Sequence, residues 1–260
     1  MNSIPHNAFK AAIKAGRTQL GLWLTCANPY TAEIAATSGY DWLLIDGEHG
    51  PNDVPTILAQ LQAVAAYSSH PIVRTVNKDP ALIKQVLDCG AQTLLVPMVD
   101  SAQEARDLVS AMRYPTRGIR GVAPIAARAS RWGRIADYTD VVERELCLLV
   151  QIESERGLAN LDEITQVEGV DGVFIGPADL SASMGHLGNP GHPQVSAAID
   201  TAIRRIRALG KAAGIMGTEP ATAKQHISSG ANFVAIAVDS MLFTKAIDDA
   251  WQRTHEELAR

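Results

Sequence analysis

The chain has 260 residues, 47% of them apolar and 20% charged, with a formal charge of −5 at pH 7. That is enough chain for one large buried core, and about 250 residues is an ordinary size for a single α/β barrel. The negative balance argues against nucleic acid or an anionic membrane as the main partner, and no apolar run reaches the ~18 residues of a membrane span.

The opening, MNSIPHNAFKAAIKAG, lacks the apolar stretch of a secretory signal and reads as an exposed lead-in followed by a helix. Apolar strand-like runs then alternate with amphipathic ones. Strands are expected at 19–24, 42–46, 72–76 and 93–97, followed by helices at 31–38, 54–66, 80–89 and 102–112. Further strands are expected at 147–152, 172–175, 212–216 and 233–238, with helices at 158–167, 194–209, 221–229 and 241–258. Eight alternations with nearly continuous apolar strands predict an α/β fold, a (β/α)8 TIM barrel filling residues 1–260 as one domain. An open doubly wound sheet is the alternative, because periodicity does not show closure. No short repeat suggests a solenoid.

One connection breaks the rhythm. Residues 117–137 (RGIRGVAPIAARASRWGRIAD) carry five arginines interleaved with Ile119, Val122, Ile125 and Trp132. A connection this long is usually functional or disordered. It reads either as a solvated face or as a subunit interface near the active-site entrance. Cys26, Cys89 and Cys147 have neither metal-ligand spacing nor an even count, so buried free thiols in a reducing cytoplasm are expected.

In a barrel of this kind the active site lies at the carboxyl ends of the strands. The second strand ends in Asp46, Glu48 and His49, and the third carries Arg74 inside an otherwise apolar run. The fifth contributes Gln151 and Glu153, and the sixth leads to Asp179. Residues two apart on a strand share a face, so Gln151 and Glu153 point the same way. Adjacent parallel strands lie about 4.8 Å apart, close enough for Glu153 and Asp179 to reach one small hard cation. Mg²⁺ is commonly held by one or two carboxylates, with substrate and water completing its shell.

Each residue has a plainer reading. Glu153 and Asp179 are also suited to a helix cap and a solvated loop acid, and Arg74 to a structural bridge with Asp46 or Glu48. His49 could be a satisfied loop histidine, or a base oriented by Asp46. Lys84 and Asp88, at i,i+4, read as a surface ion pair. The other histidines, His6, His70, His186, His192, His226 and His255, show no ligand spacing. Two absences narrow the chemistry. No glycine-rich phosphate loop follows the seventh or eighth strand. No lysine is embedded in mid-strand as a Schiff-base nucleophile would be, so metal-assisted enolisation is preferred to imine chemistry.

Several segments together carry a resemblance: LLIDGEHGP, NKDPALIKQVLDCGAQTLLVPMV, RGIRGV, ARASRW, VQIES and DGVFIGPADLSASMG. They resemble the HpcH/HpaI family of class II pyruvate aldolases almost end to end, most closely its 4-hydroxy-2-oxoheptanedioate aldolases. The resemblance implies a barrel of the phosphoenolpyruvate/pyruvate type and Glu153 and Asp179 as ligands of Mg²⁺, Mn²⁺ or Co²⁺. It implies His49 with Asp46 as the catalytic dyad and Arg74 on the pyruvyl oxygen. Gln151 corresponds to a residue beside the metal-bound water and substrate. The backbone amides of Ala178 and Asp179 correspond to the binders of the pyruvate carboxylate, and Met216 stands where leucine is commoner. The loop TCANPY (residues 25–30) departs from the family pattern. Family members form homohexamers with exchanged C-terminal helices, which the apolar Met241, Leu242, Phe243 and Trp251 permit.

The expected reaction is reversible cleavage of a 4-hydroxy-2-oxo acid, with 4-hydroxy-2-oxoheptanedioate the first candidate, into pyruvate and an aldehyde. The alternatives are a 2-keto-3-deoxy sugar-acid aldolase, a hydroxypyruvate aldolase and an oxaloacetate-type decarboxylase, all of which share the enolate. A protein that only binds metal and 2-oxo acid is the non-enzymatic alternative.

Overall fold

A computed structural model describes residues 3–259. Eight parallel strands close in chain order into a barrel, so the open doubly wound alternative falls. They are β1 (Gln19–Leu24), β2 (Trp42–Asp46), β3 (His70–Arg74), β4 (Thr93–Val96), β5 (Cys147–Ile152), β6 (Gly172–Ile175), β7 (Ala212–Met216) and β8 (Phe233–Val238). Helix α1 (Ala8–Lys14) precedes the barrel. The first half of the barrel is covered by α2 (Pro29–Ala36), α3 (Val54–Val64), α4 (Pro80–Asp88) and α5 (Ala102–Met112). The second half carries α6 (Tyr138–Val141), α7 (Glu155–Ala159), α8 (Leu161–Thr165), α9 (Pro177–Ser183), α10 (Pro193–Ala208), α11 (Pro220–Ser229) and α12 (Asp239–Leu258).

Local chemistry sets the helix starts. Asn28, Asp53, Asp79 and Ser101 each accept a hydrogen bond from a first-turn amide, and Asp53 completes a capping box with Thr56. Strand alternation then divides the apolar residues into two shells. Leu43, Ile45, Val73, Leu94, Val150, Val173 and Ile215 face the helices. Trp23, Trp42, Leu44, Ile72, Leu95, Leu149, Phe174 and Phe233 fill the barrel. The large rings fit because neighbouring strands offer glycine: a Cβ on Gly21 would lie 2.1 Å from the Trp42 ring, and one on Gly214 2.1 Å from Phe233. Phe9 of α1 closes the amino-terminal end, 6.2 Å from Trp42, 5.9 Å from Phe233 and 5.7 Å from His70.

Several expectations need correction. β3 begins two residues earlier than predicted, with His70 and Pro71 paired to Trp42 and Leu43; proline is tolerated at a strand's start. The helix expected at 158–167 breaks into α7 and α8 at Asn160, whose amide side chain donates to the Asp100 carbonyl at 2.7 Å. Asp88 pairs at 2.6 Å with Arg120, not with Lys84.

That pairing also revises the arginine-rich connection. Arg120 is fully buried and stacks on Tyr114, and Arg128 donates to the Cys89 carbonyl at 2.8 Å. Ala123, Ala126 and Ala127 line a groove with Leu58, Gln62 and Gln85 of α3 and α4. The segment therefore runs along the outer flank of α3 and α4 instead of lying over the strand ends of its own barrel, and it is not a simple solvated face. Ile119, Val122, Ile125 and Trp132 remain exposed on it.

Helix α12 does not return to its barrel. None of its described residues is buried, and Met241, Leu242, Phe243, Ile247 and Trp251 are exposed along it. The outward Ile236 and Ala237 of β8 are correspondingly only half-buried. Among the described residues no helix is long and apolar enough to cross a membrane.

Candidate active site

Asp46 and Arg74 stand directly opposite one another at the ends of β2 and β3. The Arg74 fork donates from Nε and Nη2 to the two Asp46 oxygens at 2.8 and 2.6 Å, and Nη1 pairs with Glu48 at 2.8 Å. The Trp23 indole donates to Asp46 at 3.0 Å and lies 5.0 Å beneath the guanidinium. Asp46 also accepts from the amides of Glu48 and His49, at 3.0 and 3.3 Å. Its one carboxylate thus folds the DGEHG loop into a tight turn and pushes the Glu48 and His49 side chains toward the mouth. Burial raises the Asp46 pKa, but Arg74 and the amide and indole donors outweigh it and hold the carboxyl below its ordinary range.

Glu153, one residue past β5, is buried and accepts from the Met98 amide at 2.8 Å and from the Gln151 side chain. Met98 adopts φ 55°, a left-handed turn that aims its amide at Glu153. Gly176, which caps α9, must lack a side chain, because a Cβ there would lie 2.4 Å from Glu153 Oε2 and 3.0 Å from Gln151 Nε2. Burial raises the Glu153 pKa; its two donors oppose this, and the charges of Glu48 and Asp179 add to the rise. Glu48 is raised mainly by burial, against the pull of Arg74 and His49. Asp179 lies in the first turn of α9. The Ala178 and Asp179 amides, which an α-helix leaves without intrahelical partners, have no acceptor among the described contacts. Met216 ends β7 and packs on the inner shell.

The charges do not balance. Asp46, Glu48, Glu153 and Asp179 are four carboxylates, and Arg74 pairs only with Asp46 and Glu48, of which Glu48 Oε2 stays buried without a hydrogen bond. Glu153 and Asp179 repel, and the Gln151 Oε1 atom is buried without a partner. A small divalent cation fits this donor set, since Mg²⁺ takes one or two carboxylates and leaves its other positions to water and substrate. No group of three or more His, Cys, Asp or Glu side chains is preassembled as a metal cage among the described residues.

The structure therefore gathers Asp46, Arg74, Gln151, Glu153 and Asp179 at one mouth, with His49 exposed at its rim. The ion pairs of Arg74 with both Asp46 and Glu48 are present, yet a guanidinium has five N–H donors and only two are hydrogen-bonded, both to Asp46, leaving three. Asp46 touches His49 through the backbone amide, so any orientation it gives the imidazole is indirect. Trp23, Met98 and Gly176 escaped the sequence reading: their roles are a floor, an amide and an empty space, none of which marks a residue type. A cavity of about 1060 Å³ lies elsewhere, around His70, Gln92, Arg128 and Tyr138 at the amino-terminal side of the barrel.

A closed (β/α)8 barrel with its charged groups gathered at the strand ends is the architecture of an enzyme. The HpcH/HpaI aldolase/citrate lyase family model matches residues 19–246, and the chain belongs to this family. It is 60% identical over 248 residues to 2-keto-3-deoxy-L-rhamnonate aldolase of Escherichia coli O1:K1 / APEC, covering 95% of this chain and 93% of that protein. The protein of the same description from Escherichia coli strain K12 / DH10B is 59% identical over the same shares. A solved HpcH/HpaI aldolase/citrate lyase family protein from Burkholderia cenocepacia J2315 superposes with a TM-score of 0.92 at 36% identity, covering 96% of this chain and 99% of that one. The chain is thus a carbon–carbon lyase of the class II aldolase type. The expectation of a 4-hydroxy-2-oxoheptanedioate aldolase is overturned by these relatives. The motifs behind it are those of pyruvate enolisation, which the alternatives share, and they carry no information on the aldehyde half.

Proposed function

We propose that this enzyme reversibly cleaves a 2-keto-3-deoxy sugar acid of the L-rhamnonate type into pyruvate and a three-carbon hydroxyaldehyde. The observation that carries the substrate is the 60% identity to 2-keto-3-deoxy-L-rhamnonate aldolase across 95% of the chain. A divalent cation (Mg²⁺, Mn²⁺ or Co²⁺) held by Glu153 and Asp179 would supply Lewis-acid charge beside the 2-oxo group. The Ala178 and Asp179 amides receive the substrate carboxylate, and Gln151 and Met216 border the pyruvyl part. When the C3–C4 bond breaks, its electron pair moves toward the ketone oxygen, and the spare N–H groups of Arg74 meet that growing charge. His49 accepts the C4 hydroxyl proton, and in the synthetic direction helps take one from the pyruvate methyl. Asp46 holds both partners, Arg74 through its fork and His49 through the turn.

The assembly is a homohexamer exchanging α12, a reading supported by the uncovered apolar side of that helix and by the half-buried Ile236 and Ala237 it leaves behind. Three free cysteines support a reducing cytoplasm.

The test is retro-aldol activity on 4-hydroxy-2-oxo acids, including the rhamnonate derivative and its C2 acid homologues, after chelation and metal add-back. Activity should vanish with chelator and return with Mg²⁺ or Mn²⁺, highest on the deoxy sugar acid. A lysine adduct trapped by borohydride with pyruvate would overturn the mechanism.

A further inference from the structure

We propose that Thr25 and Ser240 form a hydroxyl pair that reads the aldehyde half of the substrate, selecting a hydroxyl beside a methyl terminus over an anionic end. The inference rests on the aldolase reading above and adds the residues that choose the aldehyde.

The β1–β8 seam places them. Its register slips between Gly21 and Leu22, so that Trp23 pairs with Val238. Bulges of this kind re-aim side chains at barrel rims. Here Ala237 joins the outer shell, while Val238 packs on the inner one beside Trp23. Thr25 directly follows the last residue of β1, and Ser240 is the second residue of α12, which follows β8, so both stand at the carboxyl end of the seam. The Thr25 hydroxyl lies 2.8 Å from that of Ser240. The pair therefore lies at the strand-end rim next to β1, whose Trp23 donates to Asp46, while Ser240 also borders a groove along α12.

Asp239 fixes the pair from behind. Its carboxylate accepts from the Thr25 amide at 2.8 Å, the Thr25 hydroxyl at 2.9 Å, the Cys26 amide at 3.2 Å and the Ser240 amide at 2.7 Å. A hydroxyl has one proton, and that of Thr25 is drawn to the charged acceptor. Ser240 then donates to Thr25 and keeps its lone pairs free, so the pair presents an acceptor to a substrate O–H. Cys26 stays a neutral thiol, pushed up to about 11 by burial and by Asp239.

The surroundings set the rest of the preference. Met216 and Val238 both pack on the inner apolar shell and offer a surface for a methyl end. The Asp239 charge behind the pair repels an aldehyde that ends in a carboxylate. Pyruvate, held on the β3, β5 and β6 side by Arg74, Glu153 and Ala178, leaves its partner to extend toward β8 and β1.

The experiment measures kcat/KM for aldol addition of pyruvate to 2-hydroxypropanal, propanal and succinic semialdehyde. The enzymes are wild type, Thr25→Val, Ser240→Ala and Thr25→Ser, loaded with Mg²⁺. The wild type should prefer the hydroxylated aldehyde to both others. Loss of one hydrogen bond should lower its ratio over propanal about tenfold in Ser240→Ala and Thr25→Val, and Thr25→Ser should restore it. An unchanged ratio in both variants overturns the proposal. If they fail to fold, a wild type indifferent between 2-hydroxypropanal and propanal overturns it equally. Exchange of pyruvate methyl protons in D₂O by the wild type separates the two readings. Exchange with an unchanged ratio defeats only this proposal, and no exchange defeats the aldolase reading with it.

Discussion

Replacing Arg74 with lysine tests the centre of the site. The guanidinium makes two charge-assisted hydrogen bonds of 2.6–2.8 Å to Asp46 and an ion pair of 2.8 Å with Glu48, and has N–H groups left for substrate. Lysine keeps the charge but offers one nitrogen on a flexible stem, and cannot span both carboxylates and the ketone oxygen. Loss of a single well-placed donor to a developing oxyanion typically costs about 10²–10³ in kcat. The broken fork should also destabilise the fold by roughly 1.5–3 kcal/mol, since one of its two hydrogen bonds to Asp46 is lost and a hydrogen bond to a charged group contributes about that much. For a chain of this size that is a fall in Tm on the order of 5–10 °C. Three measurements separate the contributions: thermal unfolding, retro-aldol kcat, and pyruvate methyl-proton exchange followed by NMR in D₂O. Both activities pass through the enolate, so both should fall together, with metal affinity retained. Proton exchange at the wild-type rate alongside a lowered Tm would refute the reasoning and leave Arg74 a structural bridge.

Three further outcomes are expected. His70, packed on Phe9 and bonded to Thr93, has its pKa lowered by burial from 6.5 to about 4. A depressed histidine contributes stability that is complete above about pH 6.5 and is lost as pH falls toward 4, on the order of 3 kcal/mol in all; urea unfolding at pH 7 and pH 4.5 should show a smaller loss in His70→Gln, and equal losses would exclude the effect. Gly176→Ala puts a methyl 2.4 Å from Glu153 Oε2, so it should weaken metal binding in a titration and lower kcat about 10²-fold with only about 1–3 kcal/mol of destabilisation; wild-type kinetics would mean the crowding is relieved elsewhere. Arg120→Ala strands Asp88 and empties a buried site, which should cost about 3–5 kcal/mol in denaturant unfolding, and an unaltered midpoint would show that Arg120 does not anchor the connection.

The barrel was legible in the sequence because parallel strands buried on both faces are written as near-continuous apolar runs, broken only where the chain leaves the core. Those breaks are Asp46, Arg74, Gln151 and Glu153, so the acid-and-arginine set was visible as polar residues in apolar company. Partners distant in sequence were not. Lys84 lies four residues from Asp88, but the ion pair goes to Arg120, 32 residues on, since a helix-surface pair is worth little beside a buried one. Closure of the barrel, the outward course of α12, and the aim of the Met98 amide depend on where other segments arrive. The same holds for the bare α-carbon of Gly176. Enolate chemistry needs charged residues at strand ends, and sequence alone displays those. Choice of aldehyde rests on Thr25 and Ser240, ordinary residue types 215 positions apart. Only the closed barrel, by joining β8 to β1, brings their hydroxyls within hydrogen-bonding distance.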